Sequence, residues 1–177
     1  MEYNQHHKWK FIPEGIEKKL TFKEKQMIDD ILVKNNEIIY ERMCDYLDYF
    51  EKKETASNYE EQKMIGNSID DIMTELKVAF KKIYSLTKHN GLECCRRDIL
   101  VASRNAISDA FENFLDTIST LYWMDEDDIN RLRRVYMSLF WIPLEDGKEQ
   151  MDRVLETRIR NYGVECYRIK QLNSNGF

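Results

Sequence analysis

Apolar positions recur every three or four residues along most of this chain, a rhythm that predicts helices rather than strands. The least charged stretch is Leu92–Tyr122; within it, thirteen residues from Ile99 to Phe111 carry only two charges, Arg104 and Asp109. Placed at about 100° per residue, Ile99, Ala106, Ile107, Ala110, Phe111, Phe114, Ile118 and Leu121 cover roughly half of a helix circumference. That arc is wider than a two-helix seam. The helix is therefore expected to join two or more others, with Ala102, Ala106 and Ala110 letting one of them come close. Arg104 projects to the edge of the arc and is the oddest residue in it.

Two amphipathic helices are predicted ahead of this element. Thr21-Phe22-Lys23-Glu24 has the form of a capping box, in which hydroxyl and carboxylate each take an otherwise free backbone N–H, and it opens a helix expected to reach about Lys52. Ile28, Leu32, Ile39, Met43, Tyr46 and Phe50 form its stripe, and Asn35 and Arg42 interrupt it. Polar residues so placed fix register or line a groove. Ser57-Asn58-Tyr59-Glu60 repeats the capping form and starts a helix to about Lys88, with Ile65, Ile69, Ile72, Met73, Leu76, Ala79, Phe80 and Ile83 on one face. The short polar link between the two predicts an antiparallel hairpin, and Asn90-Gly91 ends it.

Downstream, Asp125-Glu126-Asp127-Asp128 places acids where a helix start favours them. Ile129, Leu132, Tyr136, Leu139 and Phe140 give the inward face of that helix, and Pro143 stops it. Asp146 caps a further helix carrying Met151, Val154, Leu155 and Ile159, expected to end at Gly163, with a last turn or two between Val164 and Leu172. Residues 1–20, with Trp9, Phe11 and Ile12, read as an arm laid on the body with a short helical turn after Pro13; residues 173–177 should fray. The expected fold is all-α: a single-domain bundle of five or six helices over residues 21–172, with a long N-terminal antiparallel hairpin packed on a central helix. Two prolines and six glycines in 177 residues agree with long helices and few tight turns.

Composition narrows the function classes. No uncharged apolar run approaches the roughly 20 residues that cross a bilayer, and no signal-like segment opens the chain, so a cytoplasmic protein is expected. Cys44, Cys94, Cys95 and Cys166 do not space like a disulfide framework and read as reduced thiols. A net charge of −5 makes nucleic acid an unfavoured partner. The cations are partitioned: residues 1–90 hold fourteen Lys and one Arg, residues 91–177 two Lys and ten Arg. Arginine suits packed ion pairs and interfaces. The abundance of Lys, Asn and Ile points to an AT-rich bacterial, phage or viral genome.

No catalytic, metal or nucleotide motif rises above background. There is no Glu-x-x-His pair; the histidines are His6, His7 and His89, the last suited to a helix C-terminus. Glu51 and Glu54 read as a solvated helix end rather than a Mg²⁺ site, and Cys94, although beside Arg96 and Arg97, has no assignable base, so no metal or cofactor is expected. Acid-first i,i+4 pairs account for Arg97 (Glu93), Arg131 (Asp127), Arg153 (Glu149) and Arg160 (Glu156), leaving Arg104, Arg133, Arg134 and Arg158. A helix-turn-helix across residues 141–146 is disfavoured by a long apolar connection and a charge-balanced following helix. Trp123, Trp141 and Phe140 serve core closure first and an aromatic contact patch second.

The reading that results is a non-enzymatic protein-interaction module, a regulator, inhibitor, immunity factor or assembly component, that contacts another protein through Arg133, Arg134, Trp141 and Arg158; a homodimer is compatible with it. The alternative is a small-ligand-binding or enzymatic bundle in which Asn35, Arg42 and Arg104 converge on one pocket of uncompensated positive charge, and a nucleic-acid-binding regulator comes third.

Overall fold

The computed structural model describes residues 9–16, 19–86, 95–141 and 148–174. Five α-helices are present among them: α1 (Phe22–Glu54), α2 (Tyr59–Ser85), α3 (Arg96–Leu121), α4 (Glu126–Met137) and α5 (Lys148–Ser174), with 3-10 turns at Glu14–Ile16 and Ser138–Trp141. The described residues contain no strand, and none of their helices is long and apolar enough to cross a membrane.

Local chemistry sets the helix starts. At α1 the Glu24 N–H donates to Thr21 Oγ1 and the Thr21 N–H to Glu24 Oε1, both at 3.1 Å. Asp125 and Asp128 make the same reciprocal arrangement at α4. At α2 the cap falls one residue later than the Ser57 spacing predicts. Asn58 Oδ1 accepts the Glu61 N–H at 2.8 Å, while the Ser57 N–H and hydroxyl both point at the Glu61 carboxylate, 3.4 and 3.3 Å away. Glu61 serves both residues in this register, and Asn caps as well as Ser does.

The bundle runs up, down, up, down, up. Asn36 Nδ2 donates to Ala106 O at 2.5 Å and the Tyr40 hydroxyl lies 2.9 Å from Thr117 Oγ1, so α1 and α3 run in the same direction. Lys77 pairs with Glu156 at 3.1 Å and Lys81 with Asp152, which sets α2 against α5 in opposite directions. Lys170 pairs with Glu51 and ties the ends of α5 and α1 together. The hub is α1, which packs on α2, α3 and α5; α3 touches α1, α2 and α4, as its wide apolar arc requires. Alanine at 106 is what allows the Asn36 side chain to reach the α3 backbone. Where α2, α3, α4 and α5 meet, the Phe111 ring lies 4.7 Å from Tyr162, 5.1 Å from Tyr136 and 6.4 Å from Phe80.

Three expectations change. Gly163 does not end a helix: α5 passes straight through it, and a Cβ there would sit 2.2 Å from Tyr46 Cε1, so the missing side chain serves the close approach of α5 to α1. Leu121, assigned to the buried arc, is 63% exposed. Asn173, expected to fray, belongs to α5 and its Nδ2 donates to Asp128 Oδ2 at 3.1 Å. The arm lies on the body: Phe11, Ile12 and Leu20 are buried, the Phe11 N–H donates to the buried Asp29 carboxylate at 3.1 Å, and the Trp9 ring lies 5.4 Å from that of Phe22, tilted by 58°. The stops and caps placed at Asn90-Gly91, Pro143 and Asp146 lie outside the described residues.

Candidate functional site

The unexplained arginines are mostly occupied. Arg133, from α4, clamps Glu112 of α3 with two hydrogen bonds of 2.9 Å, Nε to Oε1 and Nη2 to Oε2, and the Tyr136 hydroxyl adds a third at 2.5 Å. Arg158 donates from Nη1 to Ser138 O at 2.5 Å, bracing the 3-10 turn that follows α4. Arg131 reaches Glu165 on α5, 3.8 Å away, whereas Arg160 keeps the expected Glu156 at 2.6 Å. Arg134 is exposed and makes no ion pair among the described residues. The side chains of Phe140 and Trp141 lie outside the described ones, as does that of Glu149.

The Arg133 clamp holds the Glu112 carboxyl below the ordinary carboxylate range; burial opposes this, and the Tyr136 hydroxyl adds to the lowering. A depressed folded-state value means stability that is present above the ordinary Glu value of about 4.3 and lost as pH falls through the depressed one. Glu112→Gln is therefore expected to cost about 1 kcal/mol at neutral pH, since the clamp is partly screened by water. Urea midpoints of the two proteins should converge below about pH 4. A gap that persists in acid would assign the effect to packing.

Of Asn35, Arg42 and Arg104, only the first lines the depression described below between α1 and α2. Arg42 is spanned by Asp45 at 2.8 Å and Glu75, across the hairpin, at 3.1 Å, so its charge is compensated. Arg104 is half-buried and partnered. Asn35 alone lines a depression of about 370 Å³ between α1 and α2, together with Asp30, Ile31, Lys34, Lys82 and Ser85.

The reactive side chains offer little chemistry. Burial pushes the Cys44 thiol up to about 11, and Cys166, buried beside Tyr162, is raised further still. A nucleophilic cysteine needs the opposite shift. Among the described residues no three His, Cys, Asp or Glu side chains gather as a metal site, and Glu51 is taken by Lys170. His6, His7, His89 and Cys94 lie outside the described residues.

Trp123, expected first to close the core and second to form a contact patch, is not core: it lies exposed at the end of the bundle where α3 gives way to α4. Trp123 takes φ 55°, in the left-handed region, and its side chain is 78% exposed. Leu121 is 63% and Leu172 61% exposed. The last turn of α5 is fastened beside them: Lys170 stands 4.3 Å over the Tyr122 ring, and Asn173 Nδ2 lies 3.3 Å from both Tyr122 O and Trp123 O. One end therefore presents large apolar side chains beside the acidic first turn of α4, Glu126, Asp127 and Asp128. The available signal was Trp123 itself, an aromatic residue in the gap between Tyr122 and the Asp125 cap that no helical face claims. No protein-family model, curated protein or solved structure matches the chain.

Proposed function

We propose that this chain is a non-enzymatic helical protein-interaction module of the cytoplasm, a regulator, inhibitor, immunity factor or assembly component, that docks its partner on Leu121, Trp123 and Leu172. Trp123 carries the proposal. A left-handed non-glycine residue costs about 1–2 kcal/mol, and the Trp123 side chain it holds is exposed. Such strain is retained where it holds a side chain in a useful pose, and tryptophan is the residue most often found at the energetic centre of an interface. The partner surface that fits is an apolar pocket with a basic rim facing Glu126 and Asp127. Arg133 and Arg158, which hold the bundle together, leave the contact set; exposed Arg134 remains compatible with its margin.

Trp123→Gly separates binding from folding. Relief of the left-handed strain offsets the added chain entropy of glycine, about 0.5–1 kcal/mol, so the thermal midpoint should match or exceed that of the wild type. Affinity for a stoichiometric partner recovered on the immobilised wild-type chain should fall about 30-fold or more, the scale of a hot-spot loss. Sedimentation velocity shows whether that partner is a second copy. Undiminished binding by Trp123→Gly, or the absence of any stoichiometric partner, would overturn the proposal.

A further inference from the structure

We infer that the N-terminal arm is a removable strap: it fills, from within the same chain, a docking groove between α1 and α3 whose other occupant is a partner protein segment of the same chemistry, a lysine followed by two bulky apolar residues. The arm shows how such a segment is held. The Phe11 N–H donates to Asp29 Oδ1 of α1 at 3.1 Å, so a carboxylate only 9% exposed grips the main chain of the arm rather than a side chain. Phe11 and Ile12 themselves are buried in the core. On the α3 wall, Lys10 stands 3.7 Å from Asp109 and Lys19 3.6 Å from Asp98. The arm therefore runs antiparallel to α3 over about three helical turns. Its 3-10 turn, Glu14–Ile16, packs on the same helix.

Three acids thus line one groove, and the arm answers each of them. An arm that served only to finish the core would need no carboxylate beneath it, because a buried acid is costly unless a donor is brought to it. Asp29 instead offers a fastening that any extended backbone can use, while Asp98 and Asp109 select for cations. The fastenings are also suited to release. The Lys10 and Lys19 side chains are 51% and 53% exposed, and ion pairs of that kind are weak. Between the anchors Glu14 and Gly15 are exposed, and a Cβ at 15 would meet nothing within 4 Å. Burial of Phe11, Ile12 and Leu20 is offset by the ordering of the whole arm, which places it among the parts of a fold that open before the core does. The groove reaches Asp109, about three turns short of Leu121, and is a separate surface from the one around Trp123.

The probe is a fluorescent synthetic peptide with the sequence of residues 9–20, titrated into the full chain and followed by anisotropy and amide chemical shifts. The tethered arm competes at an effective concentration on the order of 1 mM, so the wild type should take up the peptide weakly. Phe11→Ala in the chain loosens the tethered arm and should tighten peptide binding about tenfold or more. The surface variant Lys10→Glu/Lys19→Glu should do the same, and it decides the matter where Phe11→Ala fails to fold. A peptide carrying Lys10→Glu and Phe11→Ala should bind at least about tenfold more weakly than the parent peptide. Shifts are expected at the Asp29, Asp98 and Asp109 amides, and adding Trp123→Gly should not change the affinity. In the wild type, the Phe11 amide should exchange about 100-fold faster than those of Ile107 and Phe111. Failure of both loosened variants to bind the peptide would overturn the inference, as would shifts confined to Trp123 or exchange of Phe11 in step with the α3 core.

Discussion

Gly163→Ala is expected to destabilise the protein by about 2–3 kcal/mol, the cost of overpacking a closed interior. Helix propensity alone predicts the opposite sign, because alanine is favoured over glycine by about 1 kcal/mol in mid-helix. The contact decides between them. A Cβ at 163 would stand 2.2 Å from Tyr46 Cε1 and 2.9 Å from Cδ1, and the Tyr46 ring, itself 2% exposed, has no solvent into which to swing. The helices α1 and α5 would have to separate, loosening Phe50 from Tyr167, whose rings are 5.2 Å apart. In a Tyr46→Leu background the ring is gone, and Gly163→Ala should become neutral or stabilising. Urea denaturation of the four proteins gives the coupling energy, expected at about 2 kcal/mol or more, within the range for residues in direct contact. A Gly163→Ala protein more stable than the wild type would mean that α5 does not approach α1 this closely.

That glycine also marks the limit of what the chain reveals before it is folded. Its neighbours allow either a helix stop or a close crossing, and only Tyr46, 117 positions earlier, selects the second. Features governed by near neighbours were legible: the Thr21 box, the acidic helix start at Asp125, the periodic faces of α1 to α4, the hairpin and the all-α class. The cap of α2 slipped by one residue because Ser57 and Asn58 are both competent and a single carboxylate, Glu61, serves them together. The arginines were legible only where partners lie one turn away, as in Glu156–Arg160; Arg133 finds Glu112 across 21 positions and Arg42 finds Glu75 across the hairpin. Interactions of that kind depend on which helices become neighbours, which periodicity does not encode. The same reason hid the apolar end, since Leu121 continues the buried arc of α3 in phase yet is exposed in the folded chain.

Phe111→Ala should produce the largest loss of stability from a single side chain, about 3–5 kcal/mol, out of a total of roughly 5–15 for a domain of this kind. The ring is 1% exposed and touches the aromatic groups of three other helices: Phe80 of α2, Tyr136 of α4, stacked within 10°, and Tyr162 of α5, edge-on. Truncation removes the transfer energy of the ring and leaves a space that four packed helices cannot all move to fill. The pattern of the loss is more informative than its size. Cations change from lysine to arginine near residue 90, which marks the one internal boundary that the composition offers. Phe111 sits across that division, bound on one side to the lysine-rich hairpin and on the other to the arginine-rich helices. If the bundle is one cooperative unit, Phe111→Ala should lower amide-exchange protection in α1 and α2 by the same free energy as in α4 and α5, and heat should unfold the protein in one transition. Protection lost only in α4 and α5, with the hairpin unchanged, would show that the two halves fold separately and that α3 joins them by contact alone.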